Sequence, residues 1–102
     1  MWFVYIIYNK RVDKYYIGST NNIERRLSEH NRSTYKNKSR FTSKYEGQWT
    51  LCKRIEVESQ AAARAIEKKI KSLKSRKIIE SIISGSQTAL VAQWIEQSRS
   101  SG

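Results

Sequence analysis

Trp2-Phe3-Val4-Tyr5-Ile6-Ile7-Tyr8 and, across the polar gap from Asn9 to Lys14, Tyr15-Tyr16-Ile17-Gly18 form the stretch on which the fold turns. The first run is aromatic and β-branched throughout, with the length of a well-buried strand. The gap reads as a turn and the second run resumes strand chemistry, so the two predict a β-hairpin with a longish loop. Helix signals come next. Asn21 is placed to cap, with Glu24 three residues on as in a capping box. Ile23, Arg26, Leu27 and His30 then recur at i, i+3, i+4 and i+7, which puts them on one helical face. Arg25, Ser28 and Glu29 fall away from it.

Residues 31–48 show no period and read as a loop. From Trp49 to Val57 the alternation predicts a third strand, with Trp49, Leu51, Lys53, Ile55 and Val57 on one side. Ser59 caps a helix running to about Lys74, with Ala63, Ile66, Ile70 and Leu73 as its apolar stripe and Glu67 at the stripe's edge. Ile78, Ile79, Ile82 and Ile83 suggest a short third helix. The expected order is β-β-α-β-α-α, an α+β domain whose hairpin makes at least part of the sheet antiparallel.

Composition narrows what such a domain does. The chain has 102 residues, the length of one domain, with 38% hydrophobic and 28% charged residues, a globular balance. A chain this short buries only about 60–70% of its unfolded surface, so its core is small. No run approaches the roughly 18 apolar residues of a membrane span, and the opening Met1–Tyr8 lacks a basic leader region, so a cytoplasmic, membrane-free protein is expected. One cysteine, Cys52, cannot make a disulfide, and His30 is the single histidine, which leaves almost no basis for a zinc site.

Twenty Lys and Arg against nine Asp and Glu give a net charge of +11, and nucleic acid is the default partner of such a surface. Residues 84–102 contain one Arg and one Glu, so the whole excess lies in residues 1–83. It gathers in Arg32, Lys36, Lys38, Arg40 and Lys44, interleaved with Tyr35, Phe41 and Tyr45, and in the run from Lys68 to Lys77. Backbone contact plus base stacking is one reading of the first cluster, and aromatics tucked into the core is the other. Arg25, Lys36, Lys38, Arg40 and Lys44 are the candidate nucleic-acid contacts.

Five polar residues stand where the apolar pattern points inward or borders on it: Tyr5, Tyr16, Arg26, His30 and Glu67. Each has a bland explanation. Strand tyrosines often keep the hydroxyl at a core rim, Arg26 and His30 could cover apolar surface, and Glu67 has Arg64, Lys68 and Lys71 nearby for helix ion pairs. Jointly they carry a resemblance. Phe3-Val4-Tyr5 and Tyr16-Ile17-Gly18 resemble the two signature tripeptides of the GIY-YIG nuclease superfamily, the second letter for letter. The run Gly18-Ser19-Thr20-Asn21-Asn22-Ile23-Glu24-Arg25-Arg26-Leu27-Ser28-Glu29-His30-Asn31 is similar to the stretch after that motif in small stand-alone bacterial members. Ala65-Ile66-Glu67-Lys68-Lys69-Ile70-Lys71 resembles their glutamate helix.

The resemblance covers roughly residues 3–83. It implies a three-stranded antiparallel sheet flanked by helices and hydrolysis of a nucleic-acid phosphodiester with one divalent ion, Mg²⁺ or Mn²⁺. By it Tyr5, Tyr16, Arg26, His30 and Glu67 are catalytic, and Glu67 is the metal anchor. The residue types suit that chemistry. Mg²⁺ takes oxygen ligands and often only one or two carboxylates, a guanidinium fits a phosphate oxygen, and a motif tyrosine helped by His30 is the expected base, with neither tyrosine preferred. The other reading of the same fold is a nucleic-acid-binding module with weak or no turnover, and a basic ribosome-associated protein is a third. With no room for an added specificity domain, DNA recognition of low sequence specificity is expected, by shape, by single-strandedness or through a protein partner.

Two departures concern the end of the chain. Many members carry an Asn after the glutamate helix, whereas Ser84-Gly85-Ser86-Gln87 come after Ile83 here and no Asn occurs beyond Asn37. Residues 84–102 are also set apart from the 1–83 domain by their neutrality. Ala89–Glu96 looks like the peptide made when a transfer-RNA gene is read through on the wrong strand, which would make this segment a replacement of the gene's natural end. The alternative is a short amphipathic helix that docks through Leu90, Val91 and Trp94.

Overall fold

The computed structural model describes residues 1–31 and 47–100. Among them three strands and four helices run in the order β1 (Trp2–Asn9), β2 (Lys14–Thr20), α1 (Ile23–Asn31), β3 (Trp49–Val57), α2 (Gln60–Leu73), α3 (Arg76–Ser84) and α4 (Thr88–Ser100). The strands form one antiparallel sheet with β1 at its centre and β2 and β3 at its edges. This is the expected α+β architecture, lengthened by a fourth helix.

The unbroken apolar character of β1 has a direct cause: both faces of the sheet are covered. Val4 and Ile6 point into the larger core, with Ile17, Ile55 and Val57 from the other strands and Ala63, Ile66, Ile70, Ile82 and Trp94 from the helices. Tyr5 and Ile7 point the other way, into a smaller core with Ile23 and Trp49, lined by Phe3, Tyr16 and Leu27. Helix α1 alone closes that second face among the described residues, so its placement decides what sits there.

Both ends of α1 are pinned by side chains. Asn22, one residue later than the sequence suggests, is the cap: its Oδ1 accepts from Arg25 N at 3.1 Å, and its own N–H donates to Thr20 Oγ1 at 3.1 Å. The shift arises because β2 runs on to Thr20, whose buried hydroxyl claims the Asn22 backbone. At the far end Asn31 clamps the first residue of β3, accepting from Trp49 N at 2.6 Å and donating to Trp49 O at 3.0 Å.

Strand β3 departs from the simple alternation. Ile6 pairs with Lys53 but Ile7 pairs with Leu51, so Cys52 is the extra residue of a β-bulge. Side chains swap faces across it. Ile55 and Val57 enter the larger core while Trp49 enters the smaller one, so the five residues expected on one side are divided between two.

The helices behind the larger core begin and end on local signals. Ser59 Oγ accepts from Ala62 N at 3.1 Å and Ser75 Oγ from Ile78 N at 3.2 Å, the two N-caps of α2 and α3. Gly85, at φ 88°, ends α3 in the left-handed conformation. Arg76, at the start of α3, reaches the hairpin turn, donating to Asp13 Oδ2 at 3.1 Å and standing 5.1 Å from the Tyr15 ring. Arg76 first, then the Tyr8 hydroxyl, hold the Asp13 carboxyl below its ordinary range.

Helix α4 docks through Trp94, with Leu90, Val91 and Ile95 packed around it. Only 7% of Trp94 is exposed, so truncating it removes one of the largest side chains of the core. Trp94→Ala is expected to cost about 3–5 kcal/mol. In a domain of this size each kcal/mol shifts the melting point by about 4–8 °C, and thermal denaturation monitored by circular dichroism measures it.

Candidate active site

The site grows from a contact between the two hairpin strands. Tyr5 on β1 stands directly opposite Gly18 on β2. Its ring lies across the glycine so closely that a Cβ there would sit 2.5 Å from the Tyr5 oxygen and 2.6 Å from Cζ. Only a residue without a side chain lets a tyrosine cross β2 in this way. The ring ends with its Oη 2.9 Å from Nε2 of His30, a buried residue near the C-terminus of α1. Tyr16, two residues before Gly18 and so on the same face, brings its ring centroid to 4.9 Å from the imidazole and 6.2 Å from the Tyr5 ring. Two phenols and an imidazole thus share one small volume.

Arg26 lies one turn before His30 on α1 and reaches the same place. Its Nη1 pairs with Glu29 Oε1 at 2.6 Å, and its charge and a hydrogen bond act on the Tyr5 hydroxyl. Burial, reinforced by Tyr16, raises the Tyr5 phenol well above its ordinary value, and the neighbouring guanidinium offsets only part of the rise. Tyr5 therefore keeps its proton through the neutral range. The Tyr5 hydroxyl and Nε2 of His30 share one hydrogen bond, whose direction follows the imidazole tautomer. Burial works against the charge on Arg26, but Tyr5 and Glu29 outweigh it and hold the guanidinium more firmly protonated than usual.

Glu67 arrives from the other layer. Helix α2 buries Ala62, Ala63, Ile66 and Ile70 in the larger core, with Glu67 on its flank beside the edge strand β2. The Lys71 ammonium bridges the two groups, 2.7 Å from Glu67 Oε2 and 5.6 Å from the Tyr16 ring centroid. The Glu67 charge is felt at the Tyr5 hydroxyl as well. All five residues singled out in the sequence thus converge at one sheet edge. Of the other candidates, Arg25 is exposed on α1, 3.8 Å from Glu29. Lys36, Lys38, Arg40 and Lys44 lie outside the described residues.

Three further residues of the neighbourhood are not singled out by the sequence pattern. Helical phase puts Glu29 on the outer face of α1, yet its carboxylate folds in against Arg26; the i, i+3 spacing is the available signal. Lys71 reads in the sequence only as an ordinary ion-pair partner, and nothing local tells of the ring it overlies. Asn31 carries no signal, because its partner Trp49 is eighteen residues away.

Among the described residues no group of three or more His, Cys, Asp or Glu could hold a metal ion. Glu67 brings one carboxylate to this edge, while the Glu29 carboxylate is paired with Arg26. That suits a hard, largely hydrated cation such as Mg²⁺, which completes its shell with water and phosphate oxygens, and does not suit a zinc-type site.

Residues 1–79 match the GIY-YIG catalytic domain, so the chain belongs to the GIY-YIG family, a family of nucleases. Comparisons with curated proteins and with solved structures gave no match. No helix among the described residues is long and apolar enough to cross a membrane.

The Tyr5–Gly18 contact can be tested directly. Gly18→Ala forces its methyl into the Tyr5 ring and should cost about 1–3 kcal/mol of stability, as overpacking does, with loss of the Tyr5–His30 hydrogen bond visible in the His30 imidazole NMR shifts. The raised phenol has its own signature. Because folding strengthens the hold on this proton, the stability it contributes is complete below about pH 10, where an unfolded tyrosine titrates, and is lost as pH rises beyond. Tyr5→Phe lacks that proton, so its melting-point deficit against wild type should shrink from about pH 9 to pH 11.

Proposed function

We propose that the protein is an endonuclease that hydrolyses DNA phosphodiester bonds with the help of one divalent ion, Mg²⁺ or Mn²⁺, held by Glu67. The supporting observation is the gathering of Tyr5, Tyr16, Arg26, His30 and Glu67 at one edge of the sheet. When bound, the ion supplies a Lewis acid for a phosphoryl oxygen and a template for the phosphate. Arg26 supplies planar, permanently charged donors for the oxygens on which negative charge grows. Its bond to Glu29 keeps the fork oriented until phosphate displaces the carboxylate.

The two tyrosines divide the remaining work. Tyr5 is buried and keeps its proton, so it serves as a support: it orients His30 and, with Arg26, lines the floor of the site. Tyr16 is only half-buried, so of the two motif tyrosines it is the nearer to solvent. We assign it the removal of the proton from the attacking water, with His30 beside its ring. In the free protein the Lys71 ammonium lies 5.6 Å from the Tyr16 ring centroid.

DNA is drawn in by the excess of basic residues, including the run from Lys68 to Lys77 that begins beside Glu67. Recognition rests on backbone and shape rather than sequence, and a protein partner supplies any target choice.

Plasmid and branched DNA incubated with Mg²⁺ or Mn²⁺ test the proposal. Wild type should nick both. Arg26→Ala should lose about 10²–10³ in rate, the size of a lost transition-state donor, and Glu67→Ala should abolish metal-stimulated cleavage. Salt-sensitive binding with no cleavage by wild type would instead identify a binding module. Equal cleavage by wild type and Glu67→Ala would rule out this site as its source.

A further inference from the structure

Lys71 pairs with the carboxylate proposed to hold the divalent ion. Its Nζ is 2.7 Å from Glu67 Oε2, an ordinary ion-pair distance, and 5.6 Å from the Tyr16 ring centroid, within cation–π range. Two independent contacts thus hold one positive charge between the carboxylate and a motif tyrosine. The pair is not deeply sequestered: 48% of the Lys71 side chain is exposed, against 20% for Glu67. Ion pairs of this exposure at i, i+4 are weak and exchange readily. The lysine therefore occupies the carboxylate without locking it.

We infer that Lys71 is the resident cation of the site, competing with the divalent ion for Glu67 until a nucleic-acid phosphate draws the ammonium away. The inference rests on the reading of Glu67 as the metal anchor. An ion arriving at Glu67 in the free protein must either displace Lys71 or lie beside its charge, and both weaken binding. A phosphate entering at Arg26 and Tyr16 offers the ammonium a stronger, doubly placed acceptor, and the carboxylate is released as the substrate arrives. Metal and DNA then favour each other's binding, and the coupling is reciprocal. The bare protein holds metal poorly, so cutting competence is assembled on DNA. Lys71 acts here through Glu67 and is a positioning residue.

Metal affinity of the full chain separates this from a merely supportive role. Free Mn²⁺ is titrated by electron paramagnetic resonance into wild type, Lys71→Met, Lys71→Gln and Glu67→Gln, each checked for folding by its melting curve. Loss of the competing charge should tighten Mn²⁺ binding about three- to tenfold in both lysine variants. Adding a short nuclease-resistant phosphorothioate duplex, with the Mn²⁺ bound by the duplex alone subtracted, should tighten binding more in wild type than in either variant, and an equal change in all three overturns the coupling. Unchanged or weaker binding by Lys71→Met and Lys71→Gln overturns the inference, since a lysine that only steadied Glu67 gives that result. Binding too weak to measure in wild type and variants alike counts against it too. If Glu67→Gln binds Mn²⁺ as wild type does, the anchor itself is misassigned and the inference falls with it. If Glu67→Gln loses the ion and the lysine variants do not differ from wild type, only the role of Lys71 is refuted.

Discussion

One close approach sets the geometry of the site: the ring of Tyr5 lying on the bare backbone of Gly18. A tyrosine in a central strand would ordinarily stand up from the sheet and spend its hydroxyl at the margin of the core. Here the missing side chain on the neighbouring strand lets the ring lie toward β2, which fixes its oxygen beside His30. His30 holds that position because α1 is pinned at both ends, by Thr20 and Asn22 at its start and by the Asn31–Trp49 clamp at its finish. The bulge at Cys52 separately turns the Trp49 side chain to the α1 face, where it fills the smaller core. Remove the glycine and the Tyr5 oxygen loses its place beside His30.

The charges around this frame are held in short-range pairs. Arg26 rests on Glu29, and Lys71 rests on Glu67. Each pair lies within a single helix, three or four residues apart, and neither is fully buried. Such pairs contribute a few tenths of a kcal/mol. A site meant to receive phosphate gains from that weakness. Deeply buried partners would have to be desolvated and left bare on exchange, at a cost of several kcal/mol, whereas these side chains can trade one anionic partner for another. Tyr5 is the contrasting case. It is buried, it keeps its proton, and it behaves as scaffold.

Much of this is legible in the sequence because it is local. The hairpin, the Ser59 cap, the Ala63, Ile66 and Ile70 stripe of α2 and the face shared by Ile23, Arg26, Leu27 and His30 are written at short spacing and appear in place, whereas Leu73, expected in that stripe, is exposed at the helix end. What escapes depends on partners far along the chain. A bulge at Cys52 is invisible to an alternation rule, because the extra residue exists only relative to the register of β1. The cap moves from Asn21 to Asn22 because β2 runs to Thr20 and its hydroxyl takes the next backbone. Helical phase places the Cα of Glu29 well but says little about where a flexible carboxylate folds. The five site residues are individually ambiguous, and only their joint order in the chain makes them recognisable.

The neutral C-terminal segment meets the site through mechanics. Trp94 packs in the core on the opposite side of the sheet from Tyr5, Tyr16 and His30, so α4 supplies nothing to the chemistry directly. It does lie against α2, where Ala65, Ile66, Lys69 and Ser72 line a groove with Trp94 and Gln97. Helix periodicity turns Glu67 away from that groove and toward β2. One helix thus presents its carboxylate on one flank while its opposite flank leans on α4. In the role proposed for it Glu67 has to be held within a fraction of an ångström, and the helix that holds it is buttressed by residues chemically unlike the rest of the chain. Whatever their origin, these residues act on the site through the rigidity of α2.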